Sequence, residues 1–182
     1  MNKKMLNITK EKLENIINLA NAGDAGAQYA TAILLLQGEF LPENEEKAVE
    51  YLEKAHAQGF TEATYELAVC CHYGIGMDAD MARAFELYKT SAEAGYGMGM
   101  AVMGKIYLDG NGVESNPALA MEWFEKAIAS KDTEAVAYAE FLIAGCYRDG
   151  IGVEKDEDTA MEWYKKSALH GDIRARRIVG MV

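Results

Sequence analysis

The chain has 182 residues, half of them apolar, and a formal net charge of −11 at pH 7. The apolar share is ample for a core, and the acidic balance argues against a nucleic-acid backbone or an anionic membrane as the main partner. Three cysteines, the adjacent Cys70 and Cys71 and the distant Cys146, make neither a disulfide framework nor a zinc pattern, so a reduced, cytoplasmic protein is expected.

The N-terminus begins basic, with Lys3 and Lys4, but holds no unbroken apolar stretch and no small-residue cleavage site. Nothing in the chain approaches the length of a membrane span. Thr9 through Ala22 reads as one helix closed by Gly23, with Leu13, Ile16, Ile17 and Ala20 on one face. Residues 1–23 are therefore expected to form an N-terminal cap.

From residue 24 a block recurs. Loop glycines Gly38, Gly74, Gly110 and Gly150 are spaced 36, 36 and 40 residues apart, in step with Ala48, Ala84, Ala120 and Ala160. The pairs Tyr51-Leu52, Leu87-Tyr88, Trp123-Phe124 and Trp163-Tyr164 keep the same phase. Such a period means stacked repeats, here read as 24–59, 60–95, 96–131 and 132–171, in one continuous domain.

Each copy reads as two helices around a glycine loop. Apolar residues surround most of the first helix, as expected for one packed on two sides. Glycine ends it because it tolerates the left-handed geometry past a helix C-terminus. Asn44, Asp80, Asn116 and Asp156 then stand where free N–H groups of a second helix need an acceptor, and Pro117 suits a first helical position. The second helix places Ala160, Trp163, Tyr164 and Ser167 on one face and closes at Gly171, as others do at Gly59 and Gly95; Lys131 occupies that place in the third copy. Four extra residues before the fourth copy predict an early helix start near Thr133. Residues 172–182 repeat the first-helix pattern and stop, with Arg174, Arg176 and Arg177 offering a polar outer face. No useful stretch alternates with period two, so the chain is expected to be all α.

This helix pair, with a small residue inside its first helix (Ala32, Ala68, Gly104, Ala144), resembles the Sel-one-like repeat family, relatives of the tetratricopeptide repeat. The likeness is strongest in Gly110-Asn111-Gly112-Val113 with Trp123-Phe124 and in Gly150-Ile151-Gly152-Val153 with Trp163-Tyr164. Gly74-Ile75-Gly76-Met77 keeps the loop, whereas Gly38-Glu39-Phe40-Leu41 lacks the second glycine, so a differently shaped first loop is expected. The resemblance implies a right-handed α-solenoid of about four helix-turn-helix repeats, with an N-terminal capping helix and a C-terminal half repeat. It also implies that the first helices line a concave groove.

Reactive chemistry is sparse. His56 and His170 lie near the ends of second helices, where histidine can meet free carbonyls, and His72 ends a first helix. No two share a zinc-binding face. Cys70-Cys71-His72 invites a nucleophile reading, but Cys71 aligns with Leu35, Tyr107 and Tyr147, an interior position, so a buried thiol is expected. Cysteine-rich secreted members of the family have been linked to penicillin binding, and their regular cysteine pairs are missing here. Met98, Met100 and Met103 follow the first-helix spacing and read as core filling rather than a copper site. The glycine loops lack a following Lys-Ser/Thr and a preceding strand, so they do not match a phosphate loop. No cofactor and no metal are expected.

Counting back from each loop glycine gives the groove candidates Tyr29, Ile33, Tyr65, Glu66, Val69, His72, Val102, Lys105, Asp109, Phe141, Arg148 and Arg174. Apolar anchors would supply affinity, and Glu66, Lys105 and Arg148 would act as discrete charges setting register. The carboxylate clamp of some tetratricopeptide proteins is absent, since Tyr29, Ile33, Glu62 and Glu66 stand at its places. The expected function is a non-catalytic adaptor or scaffold for a protein or peptide partner. A monomer or weak homodimer is expected; the alternatives are a self-associating structural protein, an inhibitor or immunity-type binder, and, behind these, a thiol-dependent hydrolase.

Overall fold

The computed structural model describes residues 9–181; the basic residues 1–8 and Val182 lie outside them. Over that span it holds ten α-helices and no strand. α1 (Lys10–Asn21) precedes four first-and-second helix sets: α2 (Ala25–Gln37) and α3 (Glu45–His56), α4 (Thr61–Tyr73) and α5 (Met81–Glu93), α6 (Gly97–Asp109) and α7 (Pro117–Ala129), α8 (Thr133–Asp149) and α9 (Glu157–His170). The short α10 (Ile173–Ile178) comes last. This is an α-solenoid of helix-turn-helix repeats.

Local chemistry explains where the helices begin. Asn44, Asp80 and Asn116 accept from the backbone N–H of Lys47, Arg83 and Leu119 at 2.9, 2.9 and 3.1 Å. Asp156 accepts from Asp158 and Thr159, both at 3.0 Å. Each bond satisfies a donor that a first helical turn leaves open. α8 starts at Thr133, as the four extra residues predict, and runs 17 residues against 13 in α2, α4 and α6.

Second helices close through a residue at positive φ. Gly59, Gly95 and Gly171 take φ of 78°, 96° and 109°, and Lys131 is held at 62° in the same role. A side chain there costs roughly 1–2 kcal/mol. Lys131→Gly is therefore expected to raise stability by about 0.5–1 kcal/mol, the remainder being offset by glycine's freedom in the unfolded chain. Chemical denaturation monitored by circular dichroism checks this, and a loss of stability would refute it.

The first loop does differ. Gly76, Gly112 and Gly152 sit at φ of 65°, 78° and 72°, while Phe40, their counterpart, is not in the left-handed region. In the second copy Gly76 lies against the start of α3, its N–H donating to Glu45 Oε2 at 3.2 Å. A Cβ on Gly76 would fall 2.4 Å from the Glu45 carbonyl, so the second glycine is required by close approach as well as by φ.

Contacts divide the chain into two compact units, residues 1–87 and 88–182, with the division inside α5. In the first, Ala32, Leu52, Ala55, Leu67, Ala68 and Cys71 are fully buried. Leu13, Ile16 and Ile17 of α1 are half-buried, and Ala20 is buried, so the capping face points inward as expected. In the second unit one cluster gathers Ala101, Phe124, Ala127, Ala139, Ile143 and Cys146, and another gathers Ala144, Ala160, Tyr164, Ala168 and Ala175. Phe124 lies over Gly104, where an added Cβ would meet the ring at 2.4 Å. The second member of each aromatic pair is thus core. The first, in Trp123 and Trp163, is half-buried and covered by the ammonium of Lys126 or Lys166, 4.2 and 3.8 Å from the ring centroid.

Candidate functional site

The exposed faces of the first helices carry the candidate residues. In the first unit, Tyr29 and Ile33 of α2 and Tyr65, Glu66, Val69 and His72 of α4 are all half-buried. Their neighbours Ala32, Ala68 and Cys70 are buried, so each helix has one face in the core and one open. The Tyr29 ring lies 5.3 Å from that of Phe60. Burial, then the carboxylates of Glu66 and Glu62, push the Tyr29 phenol above its ordinary pKa. The His72 ring stacks on Tyr73 at 4.4 Å. This face is aromatic, aliphatic and acidic.

In the second unit, Val102 and Lys105 of α6 and Phe141 of α8 are half-buried, while Asp109, Arg148 and Arg174 are exposed. Here the charges expected to set register stand in ion pairs. Lys105 pairs with Asp109 one turn on. Arg148 grips its neighbour Asp149 through Nε (2.8 Å) and Nη2 (2.6 Å), and its Nη1 donates to Tyr164 Oη at 3.2 Å. That pairing raises the Arg148 pKa and lowers that of Asp149. Arg174 pairs with Asp172 and lies over the rings of Phe141 and Tyr138, 4.1 and 5.0 Å from their centroids. Burial raises the Asp172 pKa, but the Arg174 hydrogen bond and backbone N–H groups outweigh it and hold the carboxyl below its usual range. Each cation in this set therefore has a carboxylate partner within its own unit.

The sequence did not single out Phe60 or Tyr138, although both touch candidate residues. Phe60 sits in the position before α4, where it looks like a capping residue; Tyr138 stands in the first turn of the matched fourth repeat, where the other copies have Gly26, Glu62 and Met98 and so give no aromatic signal.

The thiols are placed as interior side chains. Cys70, Cys71 and Cys146 are free and no more than 1% exposed. Burial pushes Cys70 up to about 12 and Cys146 up to about 11, and raises Cys71 as well. A nucleophile needs the opposite shift. Titration of the native protein with a thiol-specific disulfide reagent at pH 8 is expected to modify none of the three within minutes and all three after denaturation. Rapid modification of one in the native state would restore the hydrolase reading. His56 and His170 meet side chains rather than carbonyls: His56 Nδ1 lies 2.9 Å from Thr64 Oγ1, and His170 Nδ1 lies 2.7 Å from Glu140 Oε2. Among the described residues no group of three His, Cys, Asp or Glu side chains is placed to hold a metal ion. None of the described helices is long and apolar enough to cross a membrane.

Helix pairs with one buried and one open face, repeated along the chain, define an α-solenoid repeat protein. The Sel1 repeat family model matches residues 25–60, 61–96, 97–132 and 137–172, and the chain belongs to that family. It is 32% identical over 120 residues to protein sel-1 homolog 2 of Homo sapiens, covering 64% of this chain and 17% of that protein. Chitin synthase regulatory factor 3 of Schizosaccharomyces pombe is 34% identical over 91 residues, 50% of this chain and 10% of that protein. The chain thus spans a small part of these relatives. Among solved structures, a Sel1 repeat protein from Oxalobacter formigenes superposes with a TM-score of 0.83 at 28% identity, covering 93% of this chain and 66% of that one. A protective antigen of uropathogenic Escherichia coli with an SLR fold gives 0.78 at 29%, covering 93% and 35%. Sel1 repeat proteins are generally protein-interaction scaffolds and generally non-catalytic.

Proposed function

We propose that this chain is a non-catalytic, cytoplasmic adaptor that offers the open faces of its first helices to a protein or peptide partner. The observation that carries this reading is the exposure pattern: the candidate positions on α2, α4, α6 and α8 are half-buried or exposed, while the opposite faces of the same helices are sealed. Aromatic and aliphatic side chains held on rigid helices bind with little entropy to lose. The presence of a regulatory factor among the relatives agrees with a role exercised by binding.

Affinity recovery of partners from a lysate tests it with one variant in each unit, Tyr65→Ala and Phe141→Ala. Loss of about 1–2 kcal/mol at an anchor lowers recovery roughly tenfold. Unchanged recovery with both variants would reject the assignment. A second reading, self-association, draws on the exposed apolar side chains Leu169, Ile173, Ile178 and Met181 at the end of the second unit, of which Leu169 is 72% exposed. Light scattering at high concentration that shows only a monomer would remove it.

A further inference from the structure

We propose that the open face of the first unit takes an arginine side chain of the partner, laid against Tyr29 and Phe60 and paired with Glu62. The inference rests on the reading above and names the chemistry that this part of the face selects. α2 and α4 contain no lysine and no arginine, and their carboxylates are Glu62 and Glu66, both on α4. The rings of Tyr29 and Phe60, each half-buried, stand 5.3 Å apart and tilted. Glu62 and Glu66 are half-buried too, and after burial it is Glu66 and then Glu62 that raise the Tyr29 phenol. The carboxylates of α4 thus act on the ring of α2.

The second unit holds its own version of this contact. In the repeat register Phe141 stands at the place of Tyr29, and Arg174 stands at the place of Glu62, on the first helix that follows. There the guanidinium lies over the Phe141 ring, 4.1 Å from its centroid, and pairs with Asp172. The first unit has the opposite charge at that place, and Phe60 stands where Asp172 would be, as a second aromatic wall. In this fold, then, the place between successive first helices receives a guanidinium, and the first unit supplies the rings and the anion without the cation. A planar guanidinium stacks on an aromatic face while its edge N–H groups meet a carboxylate, a combination an ammonium matches less well. An arginine carried by the partner completes the set, and an acidic side chain there is repelled.

Nuclear magnetic resonance titration of the full chain with N-acetyl-argininamide tests the contact. Saturable shifts are expected at the amides of Tyr29, Phe60, Glu62 and Glu66, with a dissociation constant of about 1–10 mM. The citrulline analogue keeps the shape and lacks the charge, so it should bind at least about tenfold more weakly. Glu62→Gln should weaken arginine binding about threefold. Glu50→Gln, an equal change of net charge at an exposed position of α3, should leave it unchanged. Glu62→Arg rebuilds the arrangement of the second unit and should abolish binding. The comparison of arginine with citrulline on the wild-type chain needs no variant to fold. Absence of saturable shifts at these amides, equal affinity for the two analogues, or equal binding by Glu62→Gln and Glu50→Gln overturns the proposal. The wider reading survives that outcome if Tyr65→Ala or Phe141→Ala still lowers partner recovery, so the two can fail separately.

Discussion

Phe124→Ala is expected to lower the stability of the second unit by about 4 kcal/mol. The ring is fully buried among Ala101, Ala120, Ala127, Ala139 and Ile143, and small residues cannot collapse to fill the space it leaves. Trp123 and Trp163 both lie in this unit, so tryptophan fluorescence during denaturation reads the effect directly. The converse change tests the same contact. Gly104→Ala puts a Cβ 2.4 Å from the Phe124 ring and should cost about 1–3 kcal/mol, reduced by roughly 1 kcal/mol of improved helix propensity. Phe124→Leu in that background should recover part of the loss. Strict additivity of the two changes would mean that helix and ring do not touch.

Gly76→Ala comes next, at about 3 kcal/mol. Roughly 1–2 kcal/mol belongs to a side chain in the left-handed region, and the rest to a Cβ set 2.4 Å from the Glu45 carbonyl, a backbone atom that cannot swing away. Gly112→Ala separates the two causes. Its φ is 78°, but nothing lies within 4 Å of the added Cβ, so only about 1 kcal/mol is expected. Equal losses at the two glycines, measured by denaturation at 222 nm, would mean that the loop does not press on the preceding second helix.

Much of this fold is readable from residue order because its signals are local. The asparagines and aspartates that open second helices act on N–H groups two or three residues away, and all four bonds form. The start of α8 at Thr133 follows from counting, and the left-handed φ of Lys131 follows from its place among glycines. Charge pairing was less legible. Arg148 had Asp149 beside it and Arg174 had Asp172 two residues before, yet a long guanidinium side chain chooses its partner only when neighbouring rings and helices fix its rotamer. Contacts between helices were also hidden. Tyr51 with Asn21, Gln58 with Gln28, Ser167 with Ala137 and His170 with Glu140 are each separated by 30 residues, a spacing set by how helices lie side by side and not by the 36-residue period.

The most direct test of the central claim is hydrogen–deuterium exchange of the chain alone and with a partner recovered from a lysate. Partner binding is expected to slow exchange in segments of α2, α4, α6 and α8, whose open faces carry the candidate residues. Slowed exchange confined to α3, α5, α7 and α9, with the first helices unchanged, would contradict it.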